Sequence, residues 1–306
     1  MDTTYEEWFI WMIVSEFFTS LLRLFLVRCS EGYALNEILV TYFHMPSPSP
    51  PVISSQHNPH FKRWLSLLET PGIKRHQQCL VSGERIVTEL IKHAPKSIIE
   101  LLIASQNSHT QPITMDFTGT KHHLANSLFQ QLDIFGTHAP LAISRIPTLP
   151  PYNLTGPPKG LEVLCPMGDP GNLGSLLRGC WIFGVDQVIL MNESVHPFHP
   201  KVIRASSGAV FLLSLNRGCS MGELGQPEIA RWITALDIGG ANASTWAWEG
   251  DTRLLIGEEG MGIPPVSFAQ RLTIPQVQTT IPLNASVAGH IAIYAYRQHH
   301  PFKTQE

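Results

Sequence analysis

Hydrophobic and polar positions alternate between two periods along this chain, with breaker residues marking each change. Short apolar runs of strand character stand at 78–81, 97–104, 142–146, 161–165, 187–191, 211–215, 232–237 and 253–256. Helical spacing predicts helices over 57–69 (stopped by Pro71-Gly72), 84–93, 122–132, 173–183, 200–208 and 285–297. Strands that alternate with helices predict an α/β chain. A Pro/Gly tract over 147–158 divides it into a small α/β domain at 52–150 and a second domain at 158–306. In the second domain each strand sits between breakers or helical text, which predicts a parallel sheet with helices on both faces.

Residues 1–51 do not fit that alternation. The run 8–27 is the most hydrophobic of the chain, and its length permits a membrane span, which takes roughly 20 apolar residues. Glu16 and Arg23 fall on one helical face, which suits an amphipathic helix better, and the acidic start (Asp2, Glu6, Glu7) argues against a secretory signal. A membrane tether and a true start at Met45 both remain open, and Pro46-Ser-Pro-Ser-Pro-Pro51 reads as an extended linker, so this whole extension is expected to be disordered in part.

Composition narrows the class. At 306 residues with 43% hydrophobic and 15% charged positions, the chain is globular. Net charge is −4 over 1–51, +3 over 52–150 and −2 over 151–306, so the middle segment is mildly basic, as an RNA-binding domain can be. Cys29, Cys79, Cys165, Cys180 and Cys219 form no paired spacing and read as scattered core residues of a reducing compartment. The fourteen histidines lack metal-ligand spacing, and no metal is expected.

The most informative stretch is 161–178. A buried strand meets the turn Asp169-Pro170-Gly171, and Asn172 or a neighbour then starts a helix with Leu173, Leu176, Leu177 and Cys180 on one face. Arg178 lies on a neighbouring face. A strand, a tight turn and a helix N-terminus make a pocket for a polar ligand. Two further glycine- and asparagine-bearing segments follow, Leu255-Ile-Gly257-Glu-Glu259-Gly260-Met-Gly262 and Ile274-Pro275 with Pro282-Leu283-Asn284-Ala-Ser-Val-Ala288. An early Gly-rich dinucleotide fingerprint is missing, which disfavours an ordinary Rossmann-type enzyme.

Together with 200–209, these segments resemble the ordered motifs of the SpoU (TrmH-like) family of RNA ribose 2′-O-methyltransferases, within the SPOUT superfamily. The match covers 160–298, and 57–104 looks like that family's substrate-binding domain. The resemblance implies a C-terminal trefoil knot, a cytoplasmic homodimer, S-adenosylmethionine as cofactor, and RNA as substrate, ribosomal RNA ahead of transfer RNA. It implies Arg178, Asn172 and Glu259 as catalytic residues: Arg178 to activate the 2′-hydroxyl, Asn172 to orient that arginine, and Glu259 as the motif-two carboxylate. It implies Gly257, Ile274, Leu283, Asn284 and Ala288 around the cofactor. The third motif departs from the family's Ser-Leu-Asn, with Pro282 in the serine place and both its hydroxyl and its backbone donor gone. That departure keeps a second reading open, a non-catalytic knotted RNA-binding dimer.

Overall fold

The computed structural model describes residues 51–106, 117–257, 262–278 and 281–301. The hydrophobic run at 8–27, the linker at 46–50 and Glu259 lie outside these. Among the described residues no helix is long and apolar enough to cross a membrane.

In the first half, β1 (Val52–Ile53) precedes α1 (Pro59–Ser66), which starts where it does because the Asn58 side chain accepts from the N–H of His60 at 2.8 Å and Pro59 fills the first turn. The helix expected over 57–69 ends at Ser66, and the Pro71-Gly72 pair expected as its stop lies instead in the first turn of a second helix, α2 (Thr70–His76). The junction needs Gly72, since a Cβ there would lie 2.0 Å from the Ser66 carbonyl oxygen. The chain continues through β2 (Gln78–Val81), α3 (Glu84–His93), β3 (Ile98–Ala104), β4 (Thr120–Leu124), α4 (Asn126–Leu132) and β5 (Leu141–Arg145). The helix expected over 122–132 is likewise corrected. His122, His123 and Leu124 belong to β4, where parallel pairing with both β1 and β3 outweighs local preference. The five strands run in the order β1-β4-β3-β5-β2, with β5 antiparallel to its neighbours.

Glu100, only 7% exposed on β3, is the polar hub of this half. Arg63 Nη2 donates to both of its oxygens (2.7 and 2.6 Å) and Trp64 Nε1 to one (2.7 Å), while His122 Nε2 stands 3.6 Å away and His60 Nδ1 4.0 Å. The structure thus brings His60, Glu100 and His122, which sequence spacing kept apart, within reach of a shared ligand. Arg63 already engages both carboxylate oxygens, which makes the cluster an ion-pair hub. Burial alone would raise this carboxyl, but the nearby His122 ring and the donors of Arg63 and Trp64 outweigh it and lower its pKa to about 2. A depressed folded pKa contributes stability that is complete above the unfolded value and is lost as pH falls toward 2. Urea midpoints between pH 5 and pH 2 should therefore fall more steeply for the wild type than for Glu100→Gln, and parallel profiles would refute the assignment.

The second half holds six strands, all parallel: β6 (Leu161–Cys165), β7 (Gln187–Leu190), β8 (Leu215–Arg217), β9 (Ile233–Asn242), β10 (Thr252–Ile256) and β11 (Gln270–Thr273), in the order β11-β9-β10-β6-β7-β8. The strand expected at 211–215 begins only at Leu215, because Ala209–Phe211 forms a 3-10 turn that packs Phe211 on Phe198. Among the described residues, four α-helices accompany the sheet: α5 (Pro170–Ile182), α6 (Pro200–Ala205), α7 (Pro227–Ala230) and α8 (Ala285–His299). Alternate residues of β6 enter different cores. Leu161, Val163 and Cys165 join α5, α6 and α8, while Leu164 joins Met221, Leu224 and Ile229 on the other face. The first of these cores runs on into Val81, Ile86 and Val87 of β2 and α3, so one apolar interior links both sheets.

Glu162 and Arg253, both wholly buried, pair at 2.6 Å near the amino ends of β6 and β10. Tyr152 and the Lys159 N–H also donate to Glu162, and Arg253 Nη1 donates to the Leu154 carbonyl. This knot of polar contacts ties the 152–159 connector to the sheet.

Candidate active site

The chain leaves β6 through Pro166–Gly168 and reaches Asp169, whose carboxylate accepts from the Asn172 N–H at 2.8 Å. Asp169 is therefore the cap of α5, and Pro170 its first-turn residue. The Asn172 side chain, freed from capping, accepts at Oδ1 from Asn284 Nδ2 at 3.0 Å. Asn284 in turn caps α8, its own Oδ1 accepting from the Val287 N–H at 3.2 Å. One amide thus starts the last helix and reaches across 112 residues to the first motif.

Glycines allow this approach. A Cβ on Gly179 would lie 2.1 Å from the His290 ring, and one on Gly289 would lie 2.7 Å from both Ile256 and Leu176. His290 Nε2 also meets the Ser175 carbonyl at 3.1 Å. Gly174 performs the same service toward α6, where a Cβ would come 2.5 Å from that of Ala205. The helix α5 is therefore seated against α6 and α8 by close backbone contact.

Topology explains why a site forms here. From β6 the chain moves outward to β7 and β8, whereas from β10 it moves the other way to β11, beyond β9. Connections that diverge from adjacent strands open a crevice at their carboxyl ends. The 166–169 turn leaves β6 at this carboxyl end, and Gly257 leaves β10 there. Gly257 is half-buried, with the Ile263 side chain 3.4 Å from where a Cβ would sit. Ile274 follows β11 and packs on the same core as Ala285 and Ala288, and Leu283 stands half-exposed beside Asn284. Glycine backbone, two aliphatic walls and a paired asparagine fit a ligand with an adenine-sized apolar face and polar edges.

Arg178 does not join this group. Six residues from Asn172, it faces about 120° away on the helix, exposed, with no hydrogen bond or ion pair among the described residues. Glu259 lies outside the described residues. Beneath the site, burial pushes the Cys165 thiol up to about 12 and Cys180 also well up, so neither offers a thiolate nucleophile. Sequence reading missed His290, whose signal is its i,i+4 spacing from Ser286. It also missed an open cleft of about 620 Å³ lined by Asp237, Ile263, Phe268 and Arg271, which holds none of the residues implied for the cofactor.

A model described as the SpoU rRNA Methylase family matches residues 162–294. The ribosomal RNA small subunit methyltransferase G 2 of Syntrophobacter fumaroxidans is 34% identical over 245 residues, 80% of this chain and 48% of that protein, so the chain spans about half the length of that relative. The 23S rRNA (guanosine(2553)-2′-O)-methyltransferase RlmP of Bacillus subtilis is 25% identical over 252 residues, 80% of this chain and 98% of that one. Among solved structures, the SpoU methyltransferase AviRb from Streptomyces viridochromogenes in complex with AdoMet superposes with a TM-score of 0.66 at 23% identity, covering 80% of this chain and 100% of that chain. An AdoMet-bound rRNA methyltransferase from Sinorhizobium meliloti gives the same TM-score at 21% identity, covering 81% and 97%. These two likenesses establish a shared fold, and the stretch of the chain that carries its second sheet, residues 162–294, is what matches the SpoU rRNA Methylase family.

Proposed function

We propose that this chain methylates ribose 2′-hydroxyls of ribosomal RNA, with S-adenosylmethionine as donor. The observation that carries the reading is the Asn172–Asn284 hydrogen bond, which joins the first and third motifs at the carboxyl edge of a parallel sheet. The relatives' names support ribosomal RNA ahead of transfer RNA. Gly257, Ile274, Leu283, Asn284 and Ala288 hold the cofactor, which when bound supplies an electrophilic sulfonium methyl. Bound there, the cofactor would offer that methyl to the ribose oxygen. Arg178 stabilises the developing alkoxide, Asn172 orients the reacting groups, and Glu259 is the motif-two carboxylate. The reaction as written needs no metal.

The working unit in this reading is a knotted homodimer. After β11, at the sheet edge, the chain returns to lay α8 on α5 beside the central strands, the route a trefoil requires. Val287, Ile291 and Tyr294 form one exposed stripe on α8, next to Trp181 and Ile182 of α5. Such a patch suits a second copy, and Arg178 shares the face. Sedimentation of the full chain should give a dimer that Ile291→Asp converts to monomer, and a monomeric wild type would sink this part. Buried free thiols at Cys79, Cys165 and Cys180 suit the reducing cytoplasm, where we place it.

The test is transfer of labelled methyl from S-adenosylmethionine to total rRNA and tRNA, followed by nuclease mapping. Label at ribose in rRNA establishes the reading. RNA and cofactor binding without label would favour the non-catalytic dimer, for which Pro282, lacking the donor of the usual serine, is the specific argument.

A further inference from the structure

We propose that the seam between the two sheets is a phosphate-binding surface for RNA flanking the modified nucleotide, with Lys74 and Arg75 of α2 and Lys201 of α6 as its cations and His196 and His199 between them. This rests on the RNA reading above and names where the substrate's backbone lies.

The seam is contiguous with the candidate active site. The Val195 N–H donates to the Met167 carbonyl at 3.0 Å, and the Ser194 hydroxyl donates to the Cys165 carbonyl. The 194–199 segment therefore runs alongside the turn that delivers Asp169 and Asn172. His199 then caps α6, accepting from the Lys201 N–H at 3.2 Å. The far side of α6 docks on the first half. Arg204 lies against Gly83, which has φ +104, and its guanidinium stands 5.9 Å from the Phe135 ring centroid. Ile86 packs on Gly208, which has φ +84. Lys201 is thereby held beside β2, and the last turn of α2 leads directly into that strand.

The charges at this seam have no internal use. Lys74, Arg75 and Lys201 are exposed, and their side chains make no hydrogen bond or ion pair among the described residues. Burial first, then the charges of Lys74 and His199, hold the His196 pKa down to about 4, so this ring is a neutral donor at physiological pH. His199 is also held low by burial and Lys201, against Glu69, the carboxylate that faces it. Unpaired cations around neutral imidazoles, on a rigid floor next to the site, suit a run of phosphates.

The test uses the full chain with Lys74→Glu and Lys201→Glu combined, compared with Lys74→Arg and Lys201→Arg. RNA binding is titrated across salt, with S-adenosylmethionine binding and thermal unfolding as controls. The expected result is at least a tenfold loss of RNA affinity near 0.1 M salt and a log–log salt slope reduced by about 1.5, with both controls unchanged and the arginine pair like wild type. Wild-type affinity and slope in the glutamate pair, from a chain that does methylate rRNA, would overturn the seam alone. Seam-dependent binding by a chain that transfers no methyl would uphold it while the catalytic reading fails. A wild type that binds no RNA overturns both.

Discussion

Arg178→Ala should lower methyl transfer by a factor on the order of 10² to 10³ while leaving S-adenosylmethionine binding and the melting temperature unchanged. The size follows from removing one group that stabilises charge developing in the transition state. The selectivity follows from the structure, where Arg178 is exposed, partnerless among the described residues, and turned away from the residues proposed to hold the cofactor. Truncating such a side chain costs at most about 0.5 kcal/mol of stability. Arg178→Lys should recover only part of the rate, because an ammonium keeps the charge without the planar fork. Single-turnover transfer of labelled methyl, beside a cofactor titration, checks this. Activity of Arg178→Ala within threefold of wild type would remove Arg178 from catalysis.

Glu162→Ala should be the most destabilising single change outside the apolar cores, at about 3–5 kcal/mol, because it leaves a wholly buried guanidinium without its counter-charge. Tyr152 and the Lys159 N–H lose their acceptor in the same step, which loosens the 152–159 connector. Pairing the change with Arg253→Met should recover much of the loss, since the cost lies in the orphaned charge more than in the missing attraction. Methyl transfer at low temperature should survive, because the pair sits at the amino ends of β6 and β10 and the proposed site at their carboxyl ends. Urea unfolding decides it. A loss below 1 kcal/mol would mean that water reaches Arg253.

The central strands were legible because parallel strands buried on both faces are written as short, mainly apolar runs, as in Val163–Cys165 and Leu254–Ile256, although Glu162 and Arg253 interrupt them as a buried pair. Strand β11 was not, because Leu272 is its single buried residue and one position shows no period. Strand β4 was hidden for a related reason: its identity comes from two neighbours in space rather than from its own exposed residues. Helix starts followed their caps, yet Asp169 takes the capping role that Asn172 shared in the sequence reading, and this frees Asn172 for Asn284. No local pattern could show that meeting, nor that of His60 with His122, because both depend on how distant segments fold together. The motif resemblance grouped Arg178 with the two asparagines, whereas the fold turns Arg178 away from them.

The placement of β10 between β6 and β9 also sets a timetable for synthesis. Glu162 waits 91 residues for Arg253, and β6 keeps one open edge until that partner emerges. At about 5–20 residues per second, the ribosome needs roughly 5–18 s to supply it. During that interval a wholly buried strand of the finished sheet presents a bare edge, with an unpaired carboxylate on it. A nascent chain stalled before residue 252 should therefore bind holdase chaperones strongly, and release them once α8 has cleared the exit tunnel.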